Sequence, residues 1–252
     1  TTDTNIASSG VVTAVFPATD AWSVCGDSIT GSDSLTYDTV TGTDNHCWFD
    51  RNLGATRVAQ AFDDYQAYGS LFQWGRGADG HQLITWTSST AGTANYGSTT
   101  TLATVNNPSH SLFIANDSAN WDWKTNATED NTLWSGASGT NNPCPTGWHV
   151  PTSDQWGAVA GSEKAITNSA TAFSTLKLTV AGGRNYGDAS FFSQGSAGGY
   201  WSSSAGDPGS FGLYFNASDA YPAYLGNRTY GLSVRCLIYN HTVTFDKNTG
   251  DT

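Results

Sequence analysis

Few residues in this sequence are spaced for chemistry. Asp63-Asp64 is the most obvious acidic pair, and paired carboxylates facing one cleft are what glycosidic hydrolysis requires. Neighbours in sequence diverge, so a solvated helix face is the expected place for these two. Asp122 lies between Trp121 and Trp123, a pattern met where sugars stack on indoles and also where loops are pinned by them. His149 follows Trp148 and precedes Val150-Pro151, with no Ser or Cys nucleophile signature nearby; it reads as a structural histidine bonded to local backbone. His46, His81 and His110 are scattered over three loop-like segments, and no spacing marks them as a metal triad. No D-x-[DN]-x-[DN]-G loop occurs. The Asp-rich loops leave room for a structural calcium, but the sequence requires no cofactor and supplies no catalytic constellation.

The four cysteines, Cys25, Cys47, Cys144 and Cys236, form no C-x-x-C pair and no zinc spacing with histidine. Three pairings are open, one alternative being four reduced, buried thiols. We favour Cys25–Cys47, closing a hairpin-like segment, and Cys144–Cys236, joining the middle of the chain to the last strand of the domain. An even count in a Trp-rich, Lys-poor chain favours an oxidising, extracellular setting.

The elements that must position these groups are bounded by composition. The 252 residues carry 10 Lys+Arg against 21 Asp+Glu, a net charge of −11. Nucleic acid and anionic membrane are poor partners for such a surface. No run of 18 apolar residues exists to span a bilayer. Charged residues make up only 12%, about half the usual share, while the 10 Trp, 11 Tyr and 11 Phe are too many for a disordered coil. Nineteen of the acids are Asp and two are Glu, with 28 Gly, which predicts many turns and few helices. The absence of Met fits a processed or excised segment of a longer chain.

Residues 1–21 read as an extended arm with an apolar patch, Val11 to Phe16, ending at Pro17. A helix is expected around Val58 to Tyr68, stopped by Gly69. Residues 85–142 read as a long insertion pinned by its Trp residues. Thr152 and Gln155 form a capping box for a helix over about 153–160 that buries Trp156 and Val159. From 175 to 239, Leu176/Leu178/Val180, Tyr200-Trp201, Leu213/Phe215, Tyr221–Leu225 and Leu232–Ile238 recur with turn residues between, the pattern of an antiparallel meander. Residues 240–252 look like one further strand and a turn.

The runs WFDRNLGATRVAQAFDDYQAYGSLFQWGRGADGH (48–81), NNPCPTGWHVPTSDQW (141–156), AGGRNY (181–186), GGYWSSS (198–204) and YGLSVRCL (230–237) resemble the Fibrobacter succinogenes major paralogous domain over about residues 22–239. HVPTSDQW and GLSVRC are also similar to two segments of the formylglycine-generating (sulfatase-modifying) enzymes. The resemblance implies an α+β, C-type-lectin-like domain with antiparallel strands, few short helices and long irregular loops. It also implies a secreted or bacterial surface protein. The chemistry of the enzyme relatives is not implied, because it uses reactive cysteines and Cys236 alone lies at a matching position. The calcium-site motifs of sugar-binding C-type lectins, Glu-Pro-Asn or Gln-Pro-Asp with Trp-Asn-Asp, are absent. The tail HTVTFDKNTGDT (241–252) resembles the opening of a Listeria–Bacteroides β-repeat.

What remains is surface. Asn185, Tyr186, Tyr200, Tyr214, Asn216, Tyr221, Tyr224, Asn227 and Tyr230 are of the types that make adaptable binding surfaces, with Trp201 and at least two of the tyrosines expected to face the core. The reading is a non-catalytic extracellular recognition or adhesion module that binds protein or glycan through this aromatic and Asn-rich face. The alternative is a structural subunit of an extracellular filament or sheath, whose terminal segments pair with neighbouring subunits by strand addition.

Overall fold

The computed structural model describes residues 12–17, 25–117, 121–125, 130–238 and 240–245. Among them, two short α-helices accompany many short, mostly antiparallel strands, as the Asp and Gly content predicts. No described helix is long and apolar enough to cross a membrane.

Two four-stranded sheets bring distant segments together. One orders Trp148–His149, Leu237–Ile238, Cys47–Phe49 and Thr39–Thr41. The other orders Phe191–Phe192, Gly183–Arg184, Gly231–Leu232 and Phe72–Gln73. A three-stranded meander of Gly198–Ala205, Ser210–Phe215 and Ala220–Gly226 completes the frame. Successive strand residues point to opposite faces, and the sequence uses this to fill two cores. Trp48, Tyr200 and Leu237 enter one core with Trp156, Val159 and Phe215. Their neighbours Phe49, Trp201 and Cys236 enter the other, with Trp74, Trp134 and Trp148.

Helix α1 spans Ser153–Val159 with the expected capping box: Thr152 accepts from the Gln155 N–H, and Gln155 accepts from the Thr152 N–H. Trp156 and Val159 are buried. Helix α2, Ser169–Leu176, was not expected, and its end takes Leu176 out of the Leu176/Leu178/Val180 alternation, which forms no strand; Asn168 caps it with Thr171 closing the box. Lys177 then takes a left-handed conformation (φ 54°) and ends it. The meander forms through Gly226 as expected, but Gly231–Leu232 and Leu237–Ile238 leave it for the two four-stranded sheets.

The helix expected over Val58 to Tyr68 does not form; only Tyr65–Ala67 makes one 3-10 turn. Asp64 is the cause. Its carboxylate accepts from the backbone N–H groups of Gln60 and Gln66 and from Arg57, which folds the segment around one side chain. This competition is why Asp is a poor helix-interior residue. The insertion 85–142 is pinned as expected by Trp123 and Trp134, both fully buried. Their indole N–H groups donate to the Trp74 and Asn141 carbonyls.

Cys25 is bonded to Cys47 and Cys144 to Cys236, the arrangement an oxidising, extracellular environment maintains. The arm strand Val12–Pro17 pairs antiparallel with Asn240–Phe245, Val12 opposite Phe245 and Pro17 opposite Asn240. Residues 18–24, including Trp22, and the turn after 245 lie outside the described residues.

The two crosslinks close loops of very different length, 92 and 22 positions. Loop entropy assigns about 4.5 kcal/mol to the long one and about 3.5 to the short one. Urea midpoints should therefore fall further for Cys144→Ala/Cys236→Ala than for Cys25→Ala/Cys47→Ala. The reverse order would show that the unfolded chain is not the state these bonds act on.

Candidate functional site

The meander is covered on one face by α1 and its core. The opposite face carries three of the predicted tyrosines. Tyr214 stands opposite Tyr221, and Gly212 opposite Tyr224, with a bulge between. The Tyr214 ring lies 6.3 Å from Tyr221 and 5.5 Å from Tyr224. Tyr221 is 49% exposed and Tyr224 55%, large values for rings in a sheet. Pro222 lies in this strand, which is an edge of the three-stranded sheet, where a missing N–H is tolerated.

A second aromatic group faces the first. Tyr230 packs edge-on to Tyr186 at 4.8 Å and to Phe192 at 5.5 Å. Between the two groups runs an apolar groove of about 80 Å³, lined by Phe192, Trp201, Tyr214, Tyr224, Tyr230 and Leu232. Gly212 is required in its floor, since a Cβ there would stand 2.5 Å from the Tyr200 carbonyl oxygen. Burial raises the Tyr230 hydroxyl pKa above its usual range.

Four predicted contact residues do not belong to this face. Tyr200 is fully buried; its hydroxyl accepts from the Thr179 N–H at 2.7 Å and donates to Asn52 Oδ1 at 3.0 Å. Asn185, Asn216 and Asn227 are turn formers. Each side-chain oxygen accepts from a backbone N–H two residues on, at Gly187, Ser218 and Thr229, and Asn227 is buried besides. A short amide bonding its own backbone is the usual Asx turn. Trp201 faces the core as expected. Trp121, of the Trp-Asp-Trp pattern, and Leu225, not among the expected contact residues, are 39% and 40% exposed. Trp121 has φ 55°, and its carbonyl accepts from the Arg228 N–H.

The polar candidates resolve into structure. Asp122 is buried and bonded to Arg228 at 3.0 Å, so it is not at a sugar-stacking surface. Asp64 holds its own loop, as described. His149 is buried and bonded to Gln155, and burial lowers its pKa. His81 has the outline of a catalytic base, with Asp79 2.7 Å from Nδ1. Its Nε2, however, accepts the Gln73 N–H at 3.0 Å, and the ring is 1% exposed. Neither nitrogen has a lone pair left for a substrate proton. Among the described residues no group of three or more His, Cys, Asp or Glu is placed to hold a metal.

No protein-family model matches the chain, and neither does any curated protein or solved structure.

The His81 arrangement has a measurable consequence. Burial, opposed by the hydrogen bond to Asp79, lowers its pKa from 6.5 to about 4. The unfolded chain therefore binds the extra proton first. Stability is full above pH 6.5 and declines as pH falls toward 4, by up to about 3 kcal/mol. Urea titrations across this window should show the decline in the parent protein and a shallower one in His81→Gln. Parallel profiles would mean that His81 is not the group that titrates.

Proposed function

We propose that this chain is a non-catalytic recognition or adhesion module of a bacterial cell surface, with a C-type-lectin-like fold of the Fibrobacter succinogenes major paralogous type. Its two short helices against antiparallel strands support that fold. So does the crosslink between Cys144 and Cys236, which joins two of the segments that carry the resemblance. Two disulfides in a chain with no free cysteine among the described residues support an extracellular location.

The observation that carries the recognition reading is the pair Tyr221 and Tyr224, half exposed at the edge of the meander and flanking an apolar groove. Tyrosine supplies large amphipathic contact area at low conformational cost. A groove of about 80 Å³ is well below the roughly 300 Å³ at which small-molecule sites begin. It takes the tip of one apolar side chain, so this face suits a protein partner better than a glycan. Filament assembly by strand addition is the second reading. There the arm and tail strands already pair with each other, and among the described residues each has its other edge open to a neighbour.

Beads coated with the domain test this face. Tyr221→Ala and Tyr224→Ala should each cost about 2 kcal/mol, roughly 30-fold in Kd for a surface-protein partner, with unchanged thermal unfolding. Undiminished adhesion of a folded double variant to the same cell surfaces would exclude the tyrosine face as the contact.

A further inference from the structure

The loop 54–70 and the hairpin of Ile84–Ser88 with Ala91–Ala94 enclose a second depression, of about 360 Å³. Unlike the groove, it lies within the size range of ligand sites. Its polar groups are uncommitted. Among the described residues the hydroxyls of Tyr65 and Ser70, the Gln66 amide and Nδ2 of Asn95 have no hydrogen-bond partner, whereas Asn95 Oδ1 is fixed by the Thr85 hydroxyl at 2.8 Å. Ser70 is only 5% exposed, and what is exposed faces the cleft. Gly54 keeps it uncovered: a Cβ there would stand 2.3 Å from Ser70 Oγ, on a backbone of φ 84°. The Ser70 Oγ is therefore open to the cleft rather than sealed in the interior, and stands ready to bond an occupant.

The apolar wall is Trp86 with Ile84. Trp86 is held rigid by its indole N–H, which donates to the Gly69 carbonyl at 2.8 Å, and by edge-on packing with Tyr68 at 5.1 Å. The cation of the cleft, Arg57, is bonded to Asp64 at 2.7 Å, with Asp63 next to it, so no free positive charge awaits an anion. Rigid apolar wall, neutral donors and acceptors at the base and rim, and balanced charge together describe a polyhydroxylated, uncharged ligand.

We propose that this cleft is a saccharide-binding site that takes one neutral hexopyranose unit of a glycan, its C–H face on Trp86 and Ile84 and its hydroxyls on Ser70, Asn95 and Gln66. The site is independent of the tyrosine face. Phe191, which packs on Trp86 at 5.6 Å, and Phe192, which lines the groove, are successive residues of one strand pointing to the two sites.

The test is amide NMR of the whole domain titrated with the methyl glycosides of glucose, galactose, mannose and N-acetylglucosamine and with their linear oligomers. At least one should shift the side-chain amide signals of Asn95 and Gln66 saturably. Ser70→Ala and Asn95→Ala should each weaken that sugar about tenfold, the worth of one lost hydrogen bond, while Tyr224→Ala leaves it unchanged. The proposal is overturned if no sugar of the panel moves those two signals, or if glucuronate binds more tightly than methyl glucoside. It is also overturned if the affinity survives Ser70→Ala with Asn95→Ala, or if Tyr224→Ala abolishes binding. The adhesion test of the tyrosine face can succeed or fail whatever this titration shows.

Discussion

Buried side-chain donors reaching main-chain carbonyls of distant segments hold this molecule together. Strands of two or three residues leave much of the interior backbone outside any ladder, yet buried carbonyls must find donors. Arg235 is fully buried and donates to the carbonyls of Phe49, Leu176 and Lys177 and to Asn52. Arg228, stacked 4.5 Å from the Trp74 ring, serves the carbonyls of Gly206 and Gly209 and is neutralised by Asp122. Arg76 serves His110 and Leu112 in the insertion. Three of only ten basic residues are thus placed where a charge is costly to bury. Removing any of them would leave several carbonyls unpaired at once, and breaking such a site costs more than a surface pair contributes.

Indoles do the same work without charge. Trp74, Trp123, Trp134, Trp156 and Trp201 each donate a buried N–H to a carbonyl, those of Ser202, Trp74, Asn141, Trp201 and Phe72. The ring fills a core while its one polar atom fixes a loop, which is how an aromatic-rich chain with few helices acquires a rigid frame. Rigidity of that kind sets where binding can occur. The framework consumes its donors inward, so surfaces for recognition are the places where rings or donors are left over. The two surfaces proposed above, the tyrosines of the meander edge and the hydroxyls and amides beside Trp86, are of that kind.

Local signals were therefore legible and long-range ones were not. The α1 capping box is read within four residues, and the meander through Gly226 is a chain of neighbouring hairpins. The favoured cysteine pairing also holds. The helix expected at 58–68 failed because one carboxylate, Asp64, gathered three donors, an outcome that apolar periodicity cannot register. Helix α2 was missed because its capping box uses Asn168 and Thr171 in place of a Glu or Gln partner. Tyr200 and Tyr214 look alike in sequence. Only the pairing of their strands shows that one meets α1 and the other meets solvent. One wall of the cleft at Trp86, Gly54 to Ser70, lies inside the 48–81 run, but Ile84, Trp86 and Asn95 lie beyond it, and only the folded chain brings the two walls together.

The excess of Asp over Glu has the same physical origin. Asp33, Asp44, Asp64, Asp79, Asp122, Asp130 and Asp188 each accept from the backbone N–H two residues on, and five asparagines do likewise, at Asn107, Asn142, Asn185, Asn216 and Asn227. Glu is one methylene too long for this turn. Hydrogen bonds from Thr132 and Ser190 hold Asp130 and Asp188 below the usual carboxylate range. These seven acids are thus turn formers occupied locally, and among the described residues no group of three or more His, Cys, Asp or Glu is placed to hold a cation. A net charge of −11 built this way is a by-product of folding loops with Asp. Such a surface repels anions, which is consistent with the neutral character of the two surfaces proposed above.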